Sequence, residues 1–375
     1  MFLDCRCGEL VDPLGIEVNY RSRIRRLQAA LDRNRIDAAL ITSPASVRYL
    51  CGYSGTEGTL LVSRRSATFF TDFRYSEYAS ALLANTRVKL VVFSDKLGSL
   101  EDAMKASGLK RIGVEEEHLS LSLARALEGM GVELVSAQSV MSELRAIKDR
   151  DEVEAISKAL RIAERAFRDT LGKVKVGDPE LQVAALLEYR MKSLGAENPA
   201  FDSIVASGAR SALPHGVASD KAIGCGEIVL FDFGCRYRGY CSDLTRIVYM
   251  GGVDGEMEAL RRIVLKAQRA AFEVIKPGVD VRTVDRAARR VIERAGFGDR
   301  FGHGLGHGLG LDVHEYPRIS PKGKGRLRRG MVFTVEPGIY IEGRGGVRIE
   351  DVVLVTSSGF RLLSRLRRGG EVLGC

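Results

Sequence analysis

Apolar residues recur at helical spacing near the start of the chain. Ile24, Leu27 and Leu31 share one face between Asn19 and Arg35, which predicts an amphipathic helix there. The pattern then changes to short apolar runs. Asp37–Thr42, Thr59–Ser63, Ala67–Thr71, Val88–Phe93, Arg111–Val114 and Val132–Val135 read as strands. Tyr75–Ala84, Leu100–Ser107 and Leu121–Gly129 read as helices between them. Strands alternating with helices predict a small α/β layer domain over residues 19–143, after an irregular lead-in at 1–18.

A second domain, residues 144–375, opens on a different pattern. Asp149 and Glu152 have capping-box spacing, and Val153, Ile156, Leu160, Ala163 and Phe167 continue as an apolar helical stripe. Asp178-Pro179 starts another helix. Glu256–Ile275 and Val281–Arg294 form two more, separated by Lys276-Pro277-Gly278. The remaining apolar runs, Ser203–Ser207, Glu227–Gly234, Asp243–Met250, Met331–Ile341 and Gly346–Thr356, read as strands. Helices over one face of a curved, mostly antiparallel sheet make this domain α+β. A chain of 375 residues is long enough for two cores.

Composition narrows the classes. Apolar content of 45% and charged content of 28% are ordinary for a water-soluble globular chain. No run approaches the roughly 20 apolar residues of a membrane span. The first ten residues carry acids and lack the apolar core of a secretory signal. Seven cysteines at irregular spacings do not form a disulfide framework, so a reduced cytoplasmic protein is expected. Cys5 and Cys7 make a lone C-x-C, a weak metal motif without further ligands nearby. The net charge of +9 raises nucleic acid as a partner. The densest basic runs, Lys322–Arg329 and Arg361–Arg368, are not interleaved with aromatics, and they read as solvated loops rather than a nucleic-acid surface.

The chemistry concentrates late in the chain. Phe301–Glu315 holds His303, His307 and His314, three of the five histidines, framed by glycines from Gly302 to Gly310. Glycines at that density describe backbone that passes close to something, with imidazoles aimed at it. Four acids stand in apolar strand contexts: Asp232, Asp243, Glu336 and Glu350. If Arg236 faces Gly239 across the intervening turn, Asp232 faces Asp243, with Cβ atoms about 4.5–5.5 Å apart. Two buried carboxylates so close repel unless a cation lies between them. The ordinary alternative for any one acid is an ion pair, such as Arg348 with Glu350 on one strand face. One imidazole and four carboxylates make a hard, oxygen-rich set suited to manganese(II), with cobalt, zinc or iron as alternatives.

The order Asp232, Asp243, His307, Glu336, Glu350 resembles the metallopeptidases of the pita-bread fold, family M24. The resemblance runs from about Asn19 to about Leu363 and is most specific at Pro214-His215-Gly216, Phe231–Gly234, Gly239–Thr245, His303–Pro317, Val335–Tyr340 and Gly346–Asp351. The preceding α/β domain is similar to the creatinase-like N-terminal domain of the Xaa-Pro aminopeptidase and Xaa-Pro dipeptidase (prolidase) branch. Creatinase lacks the metal set, and methionine aminopeptidase usually lacks the N-terminal domain.

The resemblance implies two divalent ions, with Asp243 and Glu350 bridging, Asp232 on one ion, and His307 and Glu336 on the other. It places His215, His303 and His314 around the substrate, with Glu336 as proton carrier and Arg348 as a supporting arginine behind the ligands. It implies a homodimer, and Thr71–Tyr75 (T-D-F-R-Y) is a candidate contribution across that interface, with an Asp72-capped turn as the alternative. The expected activity is that of an Xaa-Pro aminopeptidase using a hydroxide between the metals. The alternatives are an Xaa-Pro dipeptidase and a non-catalytic binding protein on the same fold. His118, in E-E-E-H, reads as a surface residue, and Cys241 as packing.

Overall fold

The first amphipathic stripe forms α1 (Tyr20–Arg33), whose Asn19 cap accepts a hydrogen bond from the Ser22 amide. The structure, a computed structural model, describes residues 19–84 and 86–375, so Cys5 and Cys7 lie outside the described residues. The chain divides into two compact units between Arg145 and Ala146.

In the first unit, α1 is followed by β1 (Ala38–Ile41), α2 (Pro44–Cys51), β2 (Thr59–Ser63), β3 (Ala67–Thr71), α3 (Ser76–Leu83), β4 (Val88–Val92), α4 (Lys96–Ala106), β5 (Arg111–Val114), α5 (Leu121–Gly129), β6 (Glu133–Ser136) and α6 (Gln138–Ala146). The sheet order is β4-β3-β2-β1-β5-β6. Leu40, Leu61, Phe70 and Ile112 meet Leu100, Met104 and Leu127 of the helices in a buried core. Helix α2 was not expected from periodicity, although Ser43 caps it, Pro44 opens it and Gly52 (φ 80°) ends it. Asp72 caps a tight turn at Phe73–Tyr75 and accepts from the Arg74 amide, as in the alternative reading of that motif. His118 is exposed.

The second unit runs α7 (Arg150–Leu171), α8 (Glu180–Ser193), β7 (Asn198–Pro199), β8 (Ile204–Ser207), β9 (Ile228–Phe233), β10 (Cys235–Tyr237), β11 (Tyr240–Cys241), β12 (Leu244–Met250), α9 (Gly255–Val274) and α10 (Val281–Arg294). It ends with β13 (Gly306–Gly308), β14 (Glu315–Ile319), β15 (Val332–Val335), β16 (Gly338–Ile341), β17 (Gly345–Arg348), β18 (Asp351–Val355), β19 (Phe360–Leu362) and β20 (Glu371–Leu373). The capping box is present: Asp149 accepts from the Glu152 amide and Glu152 from the Asp149 amide, both at 3.0 Å. Sheets ordered β20-β12-β9-β8 and β14-β13-β15-β18-β19 are mainly antiparallel. One core joins both to α9 and α10 through Leu230, Ile247, Val264, Val284, Phe333 and Val353.

Three departures from the sequence pattern bear on the site. First, Met331–Ile341 and Gly346–Thr356 are each two strands, broken at Glu336-Pro337 and Ile349-Glu350. Pro337 has no N–H for a ladder, so the strand ends before it. Second, Arg236 pairs with Cys241 and Asp232 with Thr245, so Asp232 does not face Asp243. The turn is only Arg238-Gly239, both at positive φ (52° and 78°), as a tight two-residue hairpin requires. Third, the glycine-rich stretch, which has no strand periodicity, forms β13 and leads into β14. A Cβ at Gly306 would strike the Thr334 carbonyl and one at Gly308 the Tyr316 carbonyl.

The expectation of a reduced protein also missed a disulfide, Cys225–Cys375, across a separation of 150 residues. It fastens the chain end beside β20, which pairs in parallel with β12. Cys375→Ser should lower stability by about 2–4 kcal/mol. Denaturant titration without reductant checks this, and turnover per folded molecule should not change.

Candidate active site

Three of the four acids stand where a strand begins or breaks, while Asp232 stays within a strand paired on both sides. Asp232 lies near the end of β9, Asp243 immediately before β12, Glu336 between β15 and β16, and Glu350 between β17 and β18. The breaks are stapled by backbone bonds. The Glu336 amide donates to the Leu305 carbonyl at 2.9 Å and the Glu350 amide to the Thr245 carbonyl at 3.2 Å. His307 sits mid-way along β13, next to a bulge that shifts its register against β14.

The sequence-predicted ligands converge. Ligand atoms of Asp243, His307 and Glu350 lie within 4.8 Å of one another. His307 Nε2 is 3.2 Å from Glu336 Oε1 and 3.6 Å from Asp243 Oδ2. Its Nδ1 lies 3.1 Å from the Gly308 carbonyl, which can only accept. In the neutral ring, Nε2 therefore keeps its lone pair for a metal.

The electrostatics favour a cation. Burial pushes the Asp243 carboxyl well above its usual range, and the charges of Glu350, Asp232 and Glu336 push it further. Burial, with Glu336 and Asp232, does the same to Glu350. Asp232 is also raised by burial, against the pull of Arg348. For Glu336, burial is outweighed by the hydrogen bond and charge of His307, which hold its carboxyl at about 2. Among the described side chains, Asp232 Oδ1 and Glu350 Oε1 are buried without a hydrogen-bond partner. Orphaned carboxylate oxygens aimed into a cluster of like charge are costly alone and fit hard divalent ions.

Arg348 does not pair with Glu350. Its Nη2 donates to Asp232 Oδ2 at 2.6 Å, its Nε to Thr245 Oγ1 at 3.1 Å and its Nη1 to Tyr340 Oη at 2.8 Å. Thr245 in turn donates to Glu350 Oε2 at 2.9 Å. Tyr340 Oη lies 2.9 Å from His303 Nε2, while His303 Nδ1 donates to the Gly304 carbonyl. Both ring nitrogens of His303 are thus engaged, which suits a wall of a pocket better than a proton donor. Sequence reasoning gave no role to Tyr340 or Thr245. Each becomes legible only once the register places it beside Arg348.

His314 is exposed at the rim, its ring edge-on to His307 with centroids 4.2 Å apart. His215 is exposed on the 213–217 loop, close enough to depress the proton affinity of His314, after burial and His307. Cys241 is buried, its thiol pushed up to about 12 by burial, in keeping with packing.

The family model for metallopeptidase family M24 matches residues 154–357. The chain belongs to metallopeptidase family M24. A creatinase/prolidase N-terminal domain matches residues 23–147 of this M24 protein. An Xaa-Pro dipeptidase of Pyrococcus furiosus is 40% identical over 351 residues, 93% of this chain and 99% of the relative. A solved Xaa-Pro dipeptidase from Bacillus anthracis superposes with a TM-score of 0.91 at 39% identity, covering 95% of this chain and 100% of that one. A solved X-Pro aminopeptidase from Thermotoga maritima has a TM-score of 0.86 at 39% identity, covering 93% and 99%. The M24 chain is thus a metal-dependent peptidase of pita-bread fold with a creatinase-like N-terminal domain. No helix among its described residues is long and apolar enough to cross a membrane.

Replacing Asp243 by Asn leaves a neutral amide where the cluster needs a charge. Asp243→Asn should lose bound metal and nearly all activity. Elemental analysis by mass spectrometry, beside a turnover assay after chelation and manganese addition, measures both.

Proposed function

We propose that this protein is an Xaa-Pro dipeptidase, releasing the first residue from dipeptides that end in proline. The reading rests on the buried acid and histidine cluster with its orphaned oxygens, and on relatives near 40% identity named Xaa-Pro dipeptidase. It departs from the sequence-based preference for an aminopeptidase. The aminopeptidase reading stays as the second, because the Thermotoga maritima structure of similar identity carries that name.

Asp232, Asp243, His307, Glu336 and Glu350 would hold two divalent ions, with manganese favoured by the oxygen-rich set. Such ions lower the proton affinity of a bound water and polarise the scissile carbonyl. The residues do the rest. Glu336 takes a proton from the attacking water and returns it to the departing proline nitrogen, which carries no hydrogen of its own. His314 and His215, free at the rim, donate to the oxygen that gains charge. His303, edge-on to Phe301 with centroids 4.9 Å apart and braced by Tyr340, walls the proline ring. Arg348 keeps Asp232 oriented. A homodimer belongs to this proposal, with Phe73, 79% exposed, as a residue offered to the partner.

Two experiments separate the roles. His314→Ala should retain its metals and lose about 10²–10³ in kcat, the usual effect of removing one such donor, with KM changed far less. Lost metal would make His314 a ligand instead. With manganese present, the enzyme should cleave Xaa-Pro and leave Xaa-Pro-Xaa tripeptides intact. Cleavage of the longer peptides would establish the aminopeptidase.

A further inference from the structure

We infer that the buried Lys148–Glu315 ion pair is a positioning device for His314; this rests on the donor role proposed above. Lys148 Nζ donates to Glu315 Oε2 at 2.8 Å, with side chains only 1% and 6% exposed. An ion pair so dry is weak evidence for stability, since desolvation offsets most of the attraction. The placement points to a local task.

Lys148 is held from both sides. Ile147 bridges to Met331, the Lys148 amide donates to the Gly330 carbonyl at 2.9 Å, and Asp149 caps α7. Its ammonium is therefore a fixed point. The carboxylate it grips belongs to the residue directly after His314. Glu315 Oε1 accepts from the Asp312 amide at 3.1 Å, closing the turn that carries the imidazole. The Glu315 backbone pairs with Gly308, next to His307.

The loop is shaped around this carboxylate. A Cβ on Gly310 would lie 2.6 Å from Glu315 Oε2, so only glycine leaves room. The Gly310 amide donates to the Asp312 carbonyl at 3.1 Å, and its carbonyl accepts from the Cys241 amide at 2.7 Å, in the hairpin leading to Asp243. One carboxylate thus sets the relation between His314, His307 and the Asp243 strand.

A double-mutant cycle on the manganese-loaded enzyme tests it. Glu315→Gln keeps the size and an acceptor but removes the charge. It should lower kcat roughly 10–100-fold, as supporting partners do, with full metal content by mass spectrometry. In the His314→Ala background the same change should cost less than about 2-fold more. Losses that multiply in that background, a wild-type kcat in Glu315→Gln, or lost metal would overturn the inference. His314→Ala at wild-type turnover would instead remove the donor reading beneath it. If Glu315→Gln does not fold, the apolar pair Lys148→Met with Glu315→Met preserves the packing. It should melt near wild type yet lose kcat similarly, and full turnover in it would equally overturn the inference.

Discussion

The second unit is organised around a repulsion. Asp232, Asp243, Glu336 and Glu350 are gathered in one buried place, where burial and mutual charge drive two of them far above their usual proton affinity. Without a cation, such a cluster must take up protons or come apart. Lone acids on apolar strands would destabilise them, and this fold places three of the four at strand starts and breaks, with Asp232 met within β9 by Arg348. Pro337 ends one strand beside Glu336, and β17 gives way to β18 around Glu350.

What surrounds the acids holds them against that repulsion. Arg348 is the nearest fixed countercharge, and its three donor nitrogens reach Asp232, Thr245 and Tyr340, with Thr245 passing the contact on to Glu350. Behind the site, Asp351 receives Arg246, Gln268 and Ser364, and Arg246 reaches back to the Glu350 carbonyl. The Arg246 guanidinium also holds the Leu366 carbonyl, so the C-terminal segment is part of the brace.

Much of this was legible because it is local. The capping box at Asp149 and Glu152 lies within one turn, and acids on apolar runs stand out whatever the register. The rest depends on partners distant in sequence. Pairing Asp232 with Asp243 failed because the two-residue turn falls on Arg238-Gly239, both at positive φ, one residue later than expected, which moves the partner of Asp232 to Thr245. The ordinary alternative, an ion pair of Arg348 with Glu350, does not form, because its strand carries Arg348 across to Asp232. Tyr340 stood in a family-like motif, but its contact with Arg348 comes only from the pairing of β16 with β17. Cys225 and Cys375 have no spacing that marks them as a pair. The glycines of β13 hid a strand, because room for a neighbouring backbone, not side-chain periodicity, selected them.

The central claim is that this acid cluster is completed by divalent ions replacing protons. Calorimetric titration of metal-free protein with manganese, in buffers of different ionisation heat near neutral pH, counts the protons exchanged. Burial and mutual charge raise the proton affinity of Asp243 and Glu350 when no cation is bound, so metal and protons compete for the cluster and the protons released increase as pH falls. The account predicts two ions bound per chain with net release of protons. Binding without proton release, or no binding, would contradict it.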